Sequence, residues 1–248
     1  MLLSDLAEKR PLRLLLVGSP GTRKSSFICS IPGKTRILDF DGKMGGPAAL
    51  MASKDPDRLK EIKIEPYSAR LDSDFDPLAE VEQIINKELI PQQKAGKMEY
   101  DTLAIDSGTT FSSAVLRHIV KTNPGIKRAT SAQGVQPDRQ DFGILKREFS
   151  RLIPGLCSLP MNFVMTAHFE VDKSELTGEI IRKPIMDGSF ASQLPIYFDD
   201  VFVLRIKDGK CMAQTQPDIY FDFCRSSIPG IPKEIELTYA NLMKKYIV

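Results

Sequence analysis

The sequence predicts an α/β domain, a mainly parallel sheet flanked by helices with an antiparallel C-terminal edge. Three observations carry this. An apolar run, Leu14–Val17, breaks at Gly18 into a short glycine-containing loop that leads into a helical pattern through Phe27 and Ile28. Three further apolar runs end at Asp41, Asp106 and His168, which collects polar groups along one edge of a sheet. Segments with apolar residues at helical spacing separate the runs, and a last run turns at Asp208-Gly209 into a hairpin.

At 248 residues the chain fits a single domain, 1–248, with a core over about 12–230 and a tail at 231–248. Its 42% hydrophobic and 27% charged residues are ordinary globular values. A net charge of +2 is too small to announce a nucleic-acid partner, so such a role must come from local patches. Cys29, Cys157, Cys211 and Cys224 show no close pairing, and only His118 and His168 could join them, which argues against a disulfide framework or a zinc site. No secretory signal and no membrane-length apolar run is present, so a cytoplasmic protein without a membrane partner is expected.

Arg13–Val17 reads as a strand covered on both faces. The loop after it, Gly18, Ser19, Pro20, Gly21, Thr22, Arg23, Lys24, Ser25 and Ser26, has the strand, loop and helix order of a P-loop. Its physics is anion capture: successive backbone N–H groups curl around a phosphate, and the helix N-terminus adds partial positive charge. Lys24 is expected to neutralise the β- and γ-phosphates of a nucleotide, and the Ser25 hydroxyl to hold Mg²⁺. Arg23 departs from the pattern. Glycine usually precedes the lysine, and a Cβ there can cost about 1 kcal/mol or more in backbone strain.

Thr35–Phe40 is the second strand, running out into Asp39-Phe40-Asp41-Gly42. Asp39 and Asp41 fit a ligand site at that edge, and they also fit simple turn chemistry. Ile62–Tyr67 alternates like a short strand. Asp76-Pro77 reads as an N-cap with proline at the first helical position, and Leu78, Val81, Ile85 and Leu89 repeat at helical spacing up to a stop at Pro91. Tyr100–Ser107 is a short apolar strand ending in Asp106; beside a P-loop such an aspartate orders a water on Mg²⁺. The helix after Gly108 places Phe111, Val115 and Ile119 on one face, with His118 beside them as a partly buried structural histidine.

From Lys121 to Gln140 the chain is loop-like and basic; it suits either a nucleic-acid backbone or a solvated face. Phe142, Leu145, Phe149, Leu152 and Ile153 follow at helical spacing and read as core. Met161–His168 is another buried strand, ending at the edge that Asp41 and Asp106 share. Ser174–Arg182 predicts a hairpin turning at Thr177-Gly178, and Lys183–Pro195 an irregular segment. Asp200–Ile206 is a strand turning back into Cys211–Gln214, and Ile235–Tyr246 is a terminal helix.

Taken in order, Gly18–Ser25, Leu38-Asp39-Phe40-Asp41-Gly42, Ala104-Ile105-Asp106-Ser107, Met165-Thr166-Ala167-His168 and Phe198-Asp199-Asp200-Val201 resemble a RecA-type P-loop ATPase core. The set is most similar to the compact, phage-encoded RecA-like nucleotide-binding proteins of single-strand annealing and recombination. The resemblance implies ATP and Mg²⁺ as cofactors, with Asp106 joining Ser25 at the metal. It implies a catalytic set of Lys24, Asp41, Asp106, His168 and Arg225. Asp41 falls where such ATPases activate water, usually with glutamate, and His168 where they carry a γ-phosphate sensor, commonly glutamine. Arg225 falls where related proteins reach a basic finger across a subunit interface, with Lys207 and Lys210 as competitors. The family's DNA-binding loops would correspond to 121–140 and 169–195, with Lys121, Lys127, Arg128, Arg139, Lys173, Arg182 and Lys183 as contacts.

The implied partners are single-stranded DNA, further copies of the chain in an oligomer or filament, and a single-strand DNA-binding protein. ATP-dependent recombination or annealing is therefore the expected function. Two readings compete with it: a P-loop motor or loader in replication or packaging, and a nucleotide-binding scaffold in which Arg23 and Asp41 have abolished turnover. A small-molecule kinase fits less well, because no arginine-rich lid segment is evident.

Overall fold

Leu14, Leu15, Leu16 and Val17 have no exposed surface, as expected of a strand covered on both faces, and they form the centre of β1 (Arg13–Gly18). The computed structural model describes residues 10–70, 75–131, 134–173 and 180–246. After β1 come α1 (Lys24–Ser30), β2 (Thr35–Asp39), α2 (Gly45–Lys54), β3 (Ile62–Pro66), α3 (Pro77–Gln83), a π-helical stretch (Ile84–Leu89) and α4 (Ile90–Lys94). The chain continues through β4 (Thr102–Asp106), α5 (Gly108–Thr122), β5 (Thr130–Ser131), β6 (Gly134–Val135), α6 (Arg139–Cys157), β7 (Asn162–Ala167), β8 (Phe169–Lys173) and β9 (Ile180–Pro184). It ends with β10 (Asp200–Lys207), β11 (Lys210–Gln214), β12 (Glu234–Glu236) and α7 (Tyr239–Tyr246).

Eight of these strands form one sheet in the order β12-β11-β10-β1-β7-β4-β2-β3. From β10 to β3 every pairing is parallel, while β11 and β12 add an antiparallel edge. The chain leaves β1 and crosses β7 and β4 to reach β2, so a crevice opens at the carboxyl ends of the central strands. The period-two alternation of a strand splits the apolar runs between two cores. Leu15, Val17, Leu38, Ile105, Phe163 and Met165 face Phe111 and Val115 of α5 and Phe149 of α6. Leu14, Leu16, Ile37, Ala104 and Val164 face Phe27 and Ile28 of α1, Met51 of α2 and Leu242 of α7.

The local signals are met in detail. Asp76 caps α3 by accepting the N–H groups of Leu78 and Ala79 at 3.0 Å. His118 is partly buried with its Nε2 3.2 Å from Asp76 Oδ2. Asp208 and Gly209 both take positive φ, 51° and 73°, which is the twist that a two-residue hairpin needs.

Several expectations change. The helix predicted to stop at Pro91 continues to Lys94, because Ile84–Leu89 widens to i→i+5 bonding and Ile90 N–H donates to the Ile85 carbonyl, a turn that accommodates a proline one residue later. The region expected as a tail supplies the sheet's edge strand and buries Leu237 and Leu242. Its helix accordingly starts at Tyr239 rather than Ile235. The basic loop carries a small ribbon, β5 against β6. The hairpin expected at Ser174–Arg182 is wider in the structure, with β8 (Phe169–Lys173) paired to β9 (Ile180–Pro184), and the expected turn residues Thr177-Gly178 lie outside the described residues.

Candidate active site

The cleft at the carboxyl ends of β1, β7, β4 and β2 is lined by Pro20 through Ser26, Asp41, Lys43, Gly46, Pro47, Asp106 and His168. Strand register brings these together: Val17 lies beside Ala167, Ile105 beside Met165, and Asp39 beside Asp106. Gly18 is required where the loop leaves the sheet, since a Cβ there would sit 2.6 Å from Thr22 Oγ1 and 3.0 Å from the Leu204 carbonyl. Thr22 folds the loop on itself, its hydroxyl donating to the Ser19 carbonyl at 2.8 Å. Arg23 takes the left-handed conformation, φ 64° and ψ 25°, with its side chain exposed, so the glycine-like backbone persists without glycine.

Lys24 is buried, and its ammonium donates to the Gly18 carbonyl at 2.7 Å and the Ser19 carbonyl at 3.1 Å. Burial lowers its pKa to about 8, although the Asp106 and Asp41 charges pull it upward. A cation held this way is poorly compensated. An anion entering the loop would restore the balance.

Asp106 is buried and receives the hydroxyls of Ser25 and Thr166. Burial raises its pKa, those two hydroxyls partly offset the rise, and the Asp41 charge adds to it. The Ser25 and Asp106 oxygens are thus within contact of each other beside Lys24. Among the described residues no cluster of three or more His, Cys, Asp or Glu side chains converges as a metal site. One hydroxyl and one carboxylate, with phosphate oxygens and water completing the shell, is the sparse donor set that suits Mg²⁺.

Asp41 receives the Ser107 hydroxyl at 2.8 Å and the Thr110 hydroxyl on the same oxygen. Its other oxygen is 3.7 Å from His168 Nε2, while His168 Nδ1 is 3.2 Å from the Gly18 carbonyl. Burial acts to raise the Asp41 pKa, but His168, Thr110 and Ser107 outweigh it and hold it down to about 2. Asp39 is turned inward and accepts the Gly42 N–H at 2.8 Å, so it shapes the loop that carries Asp41. The site residues that sequence reasoning missed are Thr110, one turn into α5, and Lys43, two residues beyond Asp41. A lysine directly after an Asp-Gly pair at a strand end was the available signal.

The other expected residues fall elsewhere. Arg225, expected to reach across a subunit interface, bridges Val201 near the start of β10 in this chain, and its guanidinium donates to the Phe198 and Ile196 carbonyls at 2.8 and 3.0 Å. Lys207 and Lys210 flank the hairpin at the loop's own edge, where Cys211 Sγ reaches the Thr22 carbonyl at 3.1 Å. Lys210 pairs with Glu236 at 3.1 Å.

Arg128 is engaged within the chain. Its guanidinium is buried in a two-point contact with Asp141, at 2.8 and 2.6 Å, and also donates to the Asn123 carbonyl. Lys121, at the far end of α5, lies about 20 Å along the helix from the strand edge. Lys127 and Arg139 are exposed. Arg182 stacks over the Tyr220 ring at 4.8 Å and Lys183 pairs with Glu170 at 3.2 Å, both on the β8–β9 ribbon with Lys173.

Among the described residues no helix is long and apolar enough to cross a membrane. Residues 10–222 match the family model described as an AAA domain. No curated protein matches the chain.

Proposed function

Because the chain belongs to the AAA domain family of nucleotide-binding P-loop ATPases, we propose that it binds ATP with Mg²⁺ and hydrolyses it while acting on single-stranded DNA. The setting would be recombination or strand annealing of the RecA-like, phage-encoded type. One observation carries the reading. Lys24, the Ser25–Asp106 pair and the Asp41–His168 pair converge in a single cleft, and β8 starts at the residue after His168. The ribbon returns to the same point, since the Ile185 N–H donates to the His168 carbonyl at 2.8 Å and the His168 N–H to the Thr109 hydroxyl at 3.0 Å. A residue facing the terminal phosphate therefore also anchors both ends of the ribbon proposed to meet DNA.

Phosphoryl transfer needs positioning and charge neutralisation more than covalent chemistry. Lys24 exchanges the Gly18 and Ser19 carbonyls for phosphate oxygens. Ser25 and Asp106 would hold Mg²⁺, which when bound would supply charge neutralisation at the phosphates. Asp41, with a pKa of about 2, is a weak proton acceptor near neutral pH and instead orients the attacking water. Slow hydrolysis follows from that. The basic finger offered to a neighbouring copy is Arg225, with Lys207 competing because it is exposed on the phosphate-loop edge of the sheet.

The test is ATP hydrolysis with and without single-stranded DNA, for wild type and Lys24→Ala. DNA-stimulated phosphate release that Lys24→Ala abolishes supports the proposal. Equal activity in the two proteins overturns the P-loop assignment, and wild-type activity indifferent to DNA overturns the DNA coupling.

A further inference from the structure

Opposite the phosphate loop, the cleft wall is built by the segment joining β2 to α2, which presents Lys43 beside Asp41. Lys43 is exposed, lines the cleft, and has no carboxylate partner among the described residues. Gly46 and Pro47 beside it belong to the first turn of α2, which has no acidic residue and no side-chain cap, so its N–H groups also present positive charge.

The segment is held firmly. The buried Asp39 carboxylate takes the Gly42 N–H, the Phe40 and Asp41 N–H groups donate to the Asp106 carbonyl at 2.7 and 3.3 Å, and Met44 is buried. Gly42 sits at φ 68°, where a Cβ would lie 2.6 Å from Ser68 Oγ. Lys43 is therefore aimed by a rigid base.

Two ammonium groups, Lys24 and Lys43, line one cleft and repel each other. An anion with charge at both ends of its contact surface turns the repulsion into two attractions.

We propose that Lys43 is a second phosphate-binding cation, acting within one chain on the terminal phosphate, so that it selects nucleoside triphosphate over diphosphate. The inference rests on the P-loop reading of Lys24. Lys24 reaches the phosphates from the loop side, and Lys43 reaches only the outermost phosphate, from the Asp41 side.

The experiment measures binding of a fluorescent non-hydrolysable ATP analogue and of the matching ADP, each with Mg²⁺, to wild type, Lys43→Ala, Lys43→Arg and Lys24→Ala. Lys43→Ala is expected to weaken the triphosphate about tenfold or more, to leave the diphosphate within about twofold, and to be rescued by Lys43→Arg. Equal losses for both nucleotides, or no loss, overturn the role of Lys43. Undiminished binding of both nucleotides to Lys24→Ala overturns the P-loop reading itself, a result distinct from the first. Lys43 is exposed, so an unchanged melting temperature for Lys43→Ala confirms that the affinities compare folded proteins.

Discussion

His168 Nε2 lies 3.7 Å from Asp41 Oδ2 across the mouth of the phosphate loop, the two residues following the ends of β7 and β2, which β4 separates in the sheet. The contact ties a ring anchored on the Gly18 carbonyl to a carboxylate anchored by two hydroxyls of the α5 N-terminus. Neither residue can shift alone. A terminal phosphate or water placed between them would be sensed by both.

Asp41→Asn is expected to lower hydrolysis about 100-fold or more while leaving ATP affinity little changed, since the residue orients water rather than binding phosphate. It also carries stability. Its folded pKa, about 2, lies below the ordinary 3.8, so the carboxylate contributes about 2 kcal/mol above pH 4 and loses it as pH falls through 2. Urea unfolding should show wild type more stable than Asp41→Asn by about that amount at pH 7, with the gap closing in acid. A gap independent of pH would count against the assignment.

Lys24 runs the other way. Its folded pKa of about 8 lies below the ordinary 10.5, so keeping it charged costs on the order of 3 kcal/mol below pH 8, fading as pH rises toward 10.5. Its two bonds to the Gly18 and Ser19 carbonyls return about 1 kcal/mol each. Lys24→Met should therefore make the nucleotide-free protein about 1 kcal/mol more stable, or about 2–4 °C in melting temperature, and should remove the rise produced by ATP and Mg²⁺. Thermal melts with and without nucleotide check both halves. A destabilised Lys24→Met protein would show that the ammonium is not strained.

Arg23 holds φ 64° without being glycine. Arg23→Gly relieves about 1 kcal/mol of left-handed strain and adds a comparable unfolded-state entropy, so stability should stay level or rise by up to about 1 kcal/mol. Arg23→Val, β-branched at positive φ, should cost about 1–2 kcal/mol relative to wild type. Denaturant midpoints of the pair against wild type decide it. Equal midpoints for Gly and Val would mean the loop relaxes to another conformation.

What was legible in the sequence was what short-range physics dictates. Apolar runs ending in Asp41, Asp106 and His168 marked the strand ends, and Asp76-Pro77 marked a helix start. What was not legible depended on partners far along the chain or on geometry that residue types do not encode. Pro91 is a helix stop by local rules, and only the widened turn before it keeps the helix going. Glu234–Glu236 is too short and too charged to read as a strand until β11 offers an open edge. Arg225 has the composition of a finger, and its bonds to the carbonyls of Ile196 and Phe198 are not written in that residue type. Lys43 was passed over because a single lysine after a turn looks like solvent-facing charge.

Arg128 is the structural charge of the basic segment. Asp141 is fully buried, accepts the Nε and Nη2 edge of the Arg128 guanidinium with its two oxygens, and closes the capping box of α6 with Asp138. Removing the arginine leaves that carboxylate uncompensated, so Arg128→Ala should lower the melting temperature clearly. Lys127 and Arg139 are exposed, and replacing either by alanine should leave the melting temperature unchanged. If this segment tracks a DNA backbone, each of those two variants should weaken single-strand binding without regard to sequence. Each should also reduce the slope of log affinity against log salt by about 0.7, the value for one phosphate contact on a single strand. Fluorescence anisotropy over a salt series measures this directly. An unchanged slope in both variants would remove the 121–140 segment from the DNA surface and leave the β8–β9 ribbon to carry it.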